Sequence, residues 1–329
     1  MKNLFRIKFL AIVALLSVFL TSCEEDEAIV VPDTTITGLA KATPSLSILV
    51  QALVKADLAA TLQGTGPFTV FAPTDAAFKK FLTDNNFADL NAVPGPLLKQ
   101  VLLNHVVSGA VQASGLVNNT YIKTLALGSA SNSNALSMYV NTTAGVKLNG
   151  VSNVNTTTAG STFNVIASNG VIHLVDAVIG LPTIVTHAAA NPGFTSLVAA
   201  LTRTGNTTNF AGILSGTASS PFTVFAPTNA AFTGALVDLN FATLAAIPEP
   251  ALDKILKYHV IAGANVLASQ LPSTPTAQAT FLGQTFLIGT TGGAKITDKL
   301  NRVANIVATD VQCANGVIHV LDKVLVPTL

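Results

Sequence analysis

PFTVFAPTDAAF, Pro67 to Phe78, returns as PFTVFAPTNAAF, Pro221 to Phe232, with eleven of twelve positions unchanged and Asp75 replaced by Asn229. A repeat of that length sets the domain count before any element is assigned. Phe68 to Ala72 is a β-branched and aromatic run of strand length. Pro73 stops it, because proline brings no N–H to a ladder. Thr74 then offers a hydroxyl to a free N–H of a following helix, and Asp75 lies near the positive end of that helix dipole. Asn229 keeps the small polar character without the charge. The stretch therefore reads as strand, stop and capped helix, twice.

Other segments recur in the same order. Leu46, Leu49, Val50 and Leu53 form one apolar helical stripe, with Pro44 and Ser45 at its start and Gly64 at its end. Phe194, Leu197, Val198 and Leu201 repeat it after Pro192. The connection that follows, 203–220, is six residues longer in the second copy and rich in Gly, Thr, Ser and Asn, which predicts a surface segment. A second helix presents Leu97, Leu98, Val101 and Leu102 in one copy and Leu252, Ile255 and Leu256 in the other. It runs into LLNHVVSGAV, 102–111, and LKYHVIAGANV, 256–266. Short strands with turn residues between them follow, in 128–162 and in 279–296. Each copy closes on an Asn-Gly pair and an apolar strand, ASNGVIHLVDAVIGLP at 167–182 and CANGVIHVLDKVLVP at 313–327. Asn-Gly predicts a hairpin turn through positive φ.

These three motifs, in this order and twice over, resemble the signature segments of fasciclin-type domains, a family of extracellular adhesion and ligand-binding modules. The resemblance covers both halves of the chain. It implies an α+β fold of two tandem fasciclin-type domains, each a β-wedge or sandwich with helices packed on it. The domains expected are 33–182 and 183–329, joined by a short restricted hinge at 183–191. Tyr258-His259 resembles the family's central Tyr-His motif, which in animal members is implicated in integrin-mediated adhesion. The first copy departs from it with Asn104-His105. Tyr258, His259, Asn104 and His105 are thus the candidate interaction motif.

The N-terminus reads as an address. Lys2, Arg6 and Lys8 precede an apolar run at 9–20, the pattern of a signal peptide over 1–22. Leu20-Thr21-Ser22-Cys23 resembles a bacterial lipobox, with Cys23 as the lipidated residue. Several acyl chains there would give stable anchoring where one is marginal. Glu24 to Glu27 opens an acidic tether, 23–32, and resembles the surface-export signal of Bacteroidetes lipoproteins. The expected location is the bacterial cell envelope, as an outer-membrane lipoprotein facing outward. The whole chain carries 17 basic and 16 acidic residues. Each repeat has seven basic and six acidic residues, so neither has the excess that nucleic acid or anionic lipid demands.

Little of this looks like catalysis. His105 and His259 stand at helix ends, and His173 and His319 lie three residues before Asp176 and Asp322. As bases or ligands they would need converging partners; as structural residues they would bond to backbone. No nucleophile elbow, His-Glu-x-x-His, phosphate loop or dinucleotide fingerprint is present. Cys313 precedes an apolar strand and reads as a small buried hydrophobe; His187 is an isolated histidine near the junction. The expectation is a non-enzymatic surface adhesion or recognition module with no cofactor and no metal. Its partner would be a matrix protein, glycan or neighbouring cell component, and the membrane is met only through lipid. The alternatives are a ligand-binding or enzymatic pocket near Tyr258-His259, or a structural envelope component.

Overall fold

The computed structural model describes residues 32–154 and 164–329. The signal, Cys23 and the acidic residues of the tether lie outside the described residues. Thr34–Leu329 forms one compact unit.

The first repeat runs through α1 (Ile36–Ala42), α2 (Ser47–Lys55), α3 (Ala59–Gln63), β1 (Phe68–Pro73), α4 (Asp75–Asp84), α5 (Gly95–Leu103), β2 (Val106–Ser108), β3 (Thr120–Gly128), β4 (Ser131–Asn141), β5 (Lys147–Leu148), β6 (Ser152–Asn153), β7 (Val165–Ala167) and β8 (Gly170–Val175). The second runs through α6 (Ile184–Ala190), α7 (Thr195–Leu201), α8 (Phe210–Ser215), β9 (Phe222–Pro227), α9 (Asn229–Asp238), α10 (Glu249–Tyr258), β10 (Val260–Ala262), β11 (Thr276–Ala279), β12 (Thr285–Gly289), β13 (Lys295–Thr297), β14 (Val303–Cys313) and β15 (Gly316–Leu321). The sheet orders are β6-β5-β4-β3-β2-β1-β8-β7 and β10-β9-β15-β14-β13-β12-β11. Both sheets curl nearly shut. A bridge between Val154 and Val175 ties the β6 end to β8, and the Phe281 N–H reaches the Val260 carbonyl from the β11 side at 2.6 Å.

The repeated twelve-residue stretch sits at the centre of each copy. β1 pairs in parallel with β8, and β9 with β15, in matching register. Both faces of these strands are covered. Val70 and Ala72 face the helices, and Phe71 faces the interior of the curled sheet. Val224, Ala226 and Phe225 do the same in the second copy. That is why the run is apolar throughout rather than alternating. Phe71 stacks on His173 at 5.4 Å, and Phe225 on His319 at 5.5 Å. Thr74 and Thr228 cap α4 and α9, accepting from Ala77 and Ala231 N–H.

Three local expectations change. The first helical stripe is two helices, α2 and α3, broken at Asp57, whose φ of 55° no helix accommodates. The longer 203–220 connection contains α8, with Phe210 and Leu214 buried, because its apolar residues cap the core beneath α7. And 183–191 is not a hinge. It is α6, opened by a Thr183–Thr186 capping box, with Ile184, His187 and Ala188 buried. Its counterpart α1 was equally hidden in the sequence.

The Asn-Gly pairs explain how α1 and α6 are held. The Asn169 side chain accepts from Ile36 N–H at 2.9 Å and donates to the Leu62 and Gly64 carbonyls, joining the start of α1 to the end of α3. Asn315 does the same for Ile184, Leu214 and Gly216. The hairpin exists, but its tight residues are Ser168-Asn169 and Ala314-Asn315 rather than Asn-Gly. Glycine is needed next because a Cβ at Gly170 or Gly316 would collide with the Phe68 or Phe222 carbonyl.

The two repeats meet face to face. The long β3–β4 hairpin lies on β14 and α6. Lys123 Nζ donates to the Asp310 carbonyl at 2.8 Å, and Gln312 N–H to Ser137 Oγ at 3.0 Å. At the hairpin tip, Ala130 N–H and Ser129 Oγ both reach the Ala314 carbonyl. Gly128 lets the backbones approach there. Tyr121 packs against His187, edge to face at 5.4 Å, and takes a hydrogen bond from Asn191.

Candidate functional site

Helix α5 ends on Asn104-His105 and helix α10 on Tyr258-His259, each turning at once into a short strand. The apolar stripes predicted for these helices are buried, Leu98, Val101 and Leu102 in one and Leu252, Ile255 and Leu256 in the other. Their last turns therefore point inward, and the motif goes with them. All four motif residues are buried.

The two histidines have the same bonds. His105 Nδ1 meets the Val101 carbonyl at 2.7 Å, and Nε2 accepts from Ile179 N–H at 2.9 Å. His259 Nδ1 meets the Ile255 carbonyl at 2.8 Å, and Nε2 accepts from Leu325 N–H at 2.9 Å. A carbonyl needs a donor and an N–H needs an acceptor, so each ring is the neutral Nδ1–H tautomer. Each is a strut from the helix end to the segment after the closing strand. Burial pushes both down to about 4, and the carbonyl bond only partly opposes it.

The residues before them differ. Tyr258 fills the interior of its sheet against Phe286, 5.7 Å away, and donates to the Thr285 carbonyl at 2.8 Å. Burial, and the Asp298 charge next, push its phenol up to about 12. Asn104 instead donates to the Gly180 and Ile179 carbonyls and accepts from Thr124 Oγ1.

The closing-strand histidines do not meet the neighbouring carboxylates. His173 Nε2 bonds to the Val111 carbonyl and His319 Nε2 to that of Val266, each at 2.8 Å. Asp176 and Asp322 grip Asn153 and Asn305, each taking the backbone N–H and the side-chain amide. Among the described residues no three His, Cys, Asp or Glu side chains gather as a metal site. Cys313 is buried and its thiol is pushed up by desolvation, so it packs as a small hydrophobe. His187 is fully buried at the junction, and among the described residues no polar atom meets hydrogen-bond geometry at either ring nitrogen. Burial first, and the Lys123 charge next, hold it down at about 3, with the Ser137 backbone opposing only weakly.

The space around the motif is small. The void beside His259 measures about 20 Å³ and is lined by apolar chains such as Ile184, Phe194, Leu256 and Ile318. That is room for about one water and no polar neighbours to hold it. A groove of about 420 Å³ opens elsewhere, where Phe81, Asn85, Val151 and Leu181 of the first repeat meet Thr186 of the second. Its interrepeat location could not be read from sequence, because 183–191 did not read as a helix. No described helix is long and apolar enough to cross a membrane.

The chain is similar to several known proteins. Protein sll1483 of Synechocystis sp. (strain ATCC 27184 / PCC 6803 / Kazusa) is 37% identical over 150 residues, which is 45% of this chain and 74% of that protein. The fasciclin-like arabinogalactan protein elcF of Phaeosphaeria nodorum is 27% identical over 297 residues, 86% of this chain and 85% of that one. Human periostin is 29% identical over 271 residues, 81% of this chain and 29% of that one. Among solved structures, a FAS1 domain pair from the insect cell adhesion molecule Fasciclin I aligns over 86% of this chain and 97% of that one, with TM-score 0.47 and 19% identity. The fasciclin domain model matches twice, at residues 44–182 and 192–327, one match to each structural repeat. The chain therefore belongs to the fasciclin family and carries two such domains in tandem.

Proposed function

We propose that this protein is a non-enzymatic recognition module held at a bacterial surface by lipid on Cys23. Fasciclin domains serve cell adhesion or matrix interaction and are extracellular or surface-associated. The observation that carries the finer reading is the bonding of His105 and His259. Both nitrogens of each ring are committed to backbone at neutral pH, so neither is free to relay a proton or to hold a metal or a ligand. Tyr258, His259, Asn104 and His105 then act as positioning residues. They tie each helix end to the segment after the closing strand and, through Tyr258, to β12, and exposed surface makes the contact with a matrix protein or glycan. Tandem domains on a shared anchor would add avidity where both reach ligand.

The test is a binding screen of the chain against matrix proteins, glycans and whole cells, with Cys23→Ser compared for membrane retention. Binding to a surface ligand that survives Tyr258→Phe supports positioning, because that change leaves the ring in place. Loss of binding by Tyr258→Phe with the fold unchanged would show direct contact instead. Membrane association that persists in Cys23→Ser refutes lipidation there.

A further inference from the structure

The groove of about 420 Å³ beside α4 contains a buried amide with one arm unused. Asn149 lines the groove and is only 2% exposed. Strand β5 ends one residue earlier, and Asn149 turns out of the ladder at a φ of 48°. Its N–H donates to the Tyr139 carbonyl at 2.9 Å, and its Oδ1 accepts from Tyr139 N–H at 2.7 Å. The second bond fixes the amide, because a flipped one would set its NH2 against an N–H. Nδ2 is left buried, with no acceptor among the described residues. A buried donor without a partner is costly, so an acceptor supplied from the groove is favoured.

The rest of the groove limits what that acceptor belongs to. Phe81, Val151, Val178 and Leu181 give it apolar walls. Lys80 and Asp84 stand at the rim and neutralise each other, with Nζ at 2.8 and 3.1 Å from the two carboxylate oxygens. Asn85 spends its Nδ2 on the Phe81 carbonyl and keeps Oδ1 as an acceptor. No residue lining the groove belongs to a strand, so a peptide finds no edge to extend. The occupant is therefore neutral, with a carbonyl oxygen, an apolar face and further polar groups.

Domain 2 lacks these residues. Counting from Phe78 and Phe232, Lys80, Phe81 and Asn85 correspond to Gly234, Ala235 and Leu239. Val140 pairs with Leu148 as Ile288 pairs with Ile296, so Asn149 corresponds to Thr297, which stays in its ladder opposite Leu287. What the copies do not share, the fold does not demand, and these differences gather on one groove.

We infer that this groove binds a neutral sugar bearing an acetamido group. The acetamido oxygen accepts from Asn149 Nδ2. Its methyl and the C–H face of the ring take the apolar walls, and the hydroxyls meet Asn85 and the rim pair. The volume lies within the range of small-ligand sites. This rests on the recognition reading above and names the ligand class for it.

The test titrates the full chain with two disaccharides that differ only at that group, N,N′-diacetylchitobiose and cellobiose, followed by nuclear magnetic resonance. The diacetyl sugar should bind in the millimolar range and about tenfold tighter than cellobiose, through the added hydrogen bond and methyl contact. The Asn149 side-chain amide resonances should move with it. Asn149→Asp keeps the oxygen that Tyr139 N–H needs and removes the donor, so it should bring the two sugars within about twofold of each other. Phe81→Ala should weaken both sugars by about fivefold or more, through the lost apolar wall. Alanine stands at that position in folded domain 2, so this variant decides the matter even where Asn149→Asp lowers the thermal melt. Equal binding of the two sugars, no binding at millimolar concentration, or binding unchanged by Phe81→Ala overturns the proposal. So do Asn149 resonances that stay still, or N-acetylalanine methylamide binding as tightly as the diacetyl sugar. If these sugars fail and the surface-ligand screen still finds a binder, only this inference falls. If the screen is negative too, the recognition reading falls with it.

Discussion

The two domains keep the same histidine struts and change the residue beside them. His105 and His259 make matching pairs of backbone bonds, while Asn104 stitches the backbone together and Tyr258 fills a core. The difference teaches which part of the motif belongs to the fold. A feature held in both copies with the same bonds is a structural requirement. A feature that differs is free to be tuned, and the neighbouring position is where the domains part.

Acid should separate the domains most. An unfolded histidine titrates near 6.5, and burial lowers His105 and His259 to about 4 and His187 to about 3. Each folded value lies below its unfolded one. The stability each contributes is therefore full above pH 6.5 and is lost as pH falls toward the folded value. At pH 5 each of the three removes about 2 kcal/mol. Domain 2 carries two of them and domain 1 one, so domain 2 should open first. Hydrogen exchange of β15 against β8 at pH 8 and pH 5 measures this. Equal acid sensitivity of the two strands would break the comparison.

Removing the struts should come next. His259→Ala orphans the Leu325 N–H and the Ile255 carbonyl and leaves a void, at a cost of about 3 kcal/mol. His105→Ala should cost domain 1 a similar amount, through Ile179 and Val101. Chemical unfolding followed by a probe in each domain reads the two separately. A much smaller loss in domain 1 would show that the Asn104 bonds to Gly180 and Ile179 carry the same joint.

How far the sequence foretold this follows from the range of the interactions. β1, its proline stop and the Thr74 cap are decided within a few residues and were legible. So were the buried stripes of α5 and α10. Helix α1 was not, because ITGLAKA has no strong period and is held by Asn169, which lies 133 residues from Ile36. The burial of His187 depends on Tyr121, 66 positions away, and nothing local signals it. The β3–β4 stretch reads as polar and superficial for a related reason. It meets domain 2 through Ser137 and Lys123 hydrogen bonds, a contact whose composition resembles a surface. The motif residues were found, but a helix-end histidine gives no sign of whether it faces water or a backbone.

Tyr258→Phe isolates the smaller half of the motif difference. The ring stays against Phe286 and only the hydroxyl bond to the Thr285 carbonyl is lost. The expected cost is about 1 kcal/mol, confined to domain 2, as a shift of the urea midpoint with unchanged slope. A loss as large as that of His259→Ala would mean that the hydroxyl, rather than the imidazole, holds the end of β12.

The smallest effect belongs to the one position that separates the two twelve-residue stretches. Asp75 does more than sit near its own helix dipole: it caps α2, accepting from Ile48 N–H at 2.8 Å and from Ser47 Oγ at 2.7 Å. Asn229 caps α7 through Ser196 N–H at 2.9 Å, and its amide donates to the Pro192 carbonyl at 2.8 Å. The oxygen that caps is common to both, and the second arm is what differs. Asp75→Asn should keep the bond to Ile48, turn its amide toward the Pro44 carbonyl, and lose a charge at two helix starts. That costs about 0.5 kcal/mol. Asn229→Asp should cost a similar amount for the opposite reason, since a carboxylate there faces the Pro192 carbonyl and repels it. Two losses of like size from exchanging the residues would show that each domain has fitted its cap to its own acceptor. A gain in either direction would show that the charge alone decides, and that Asn229 is simply the weaker cap.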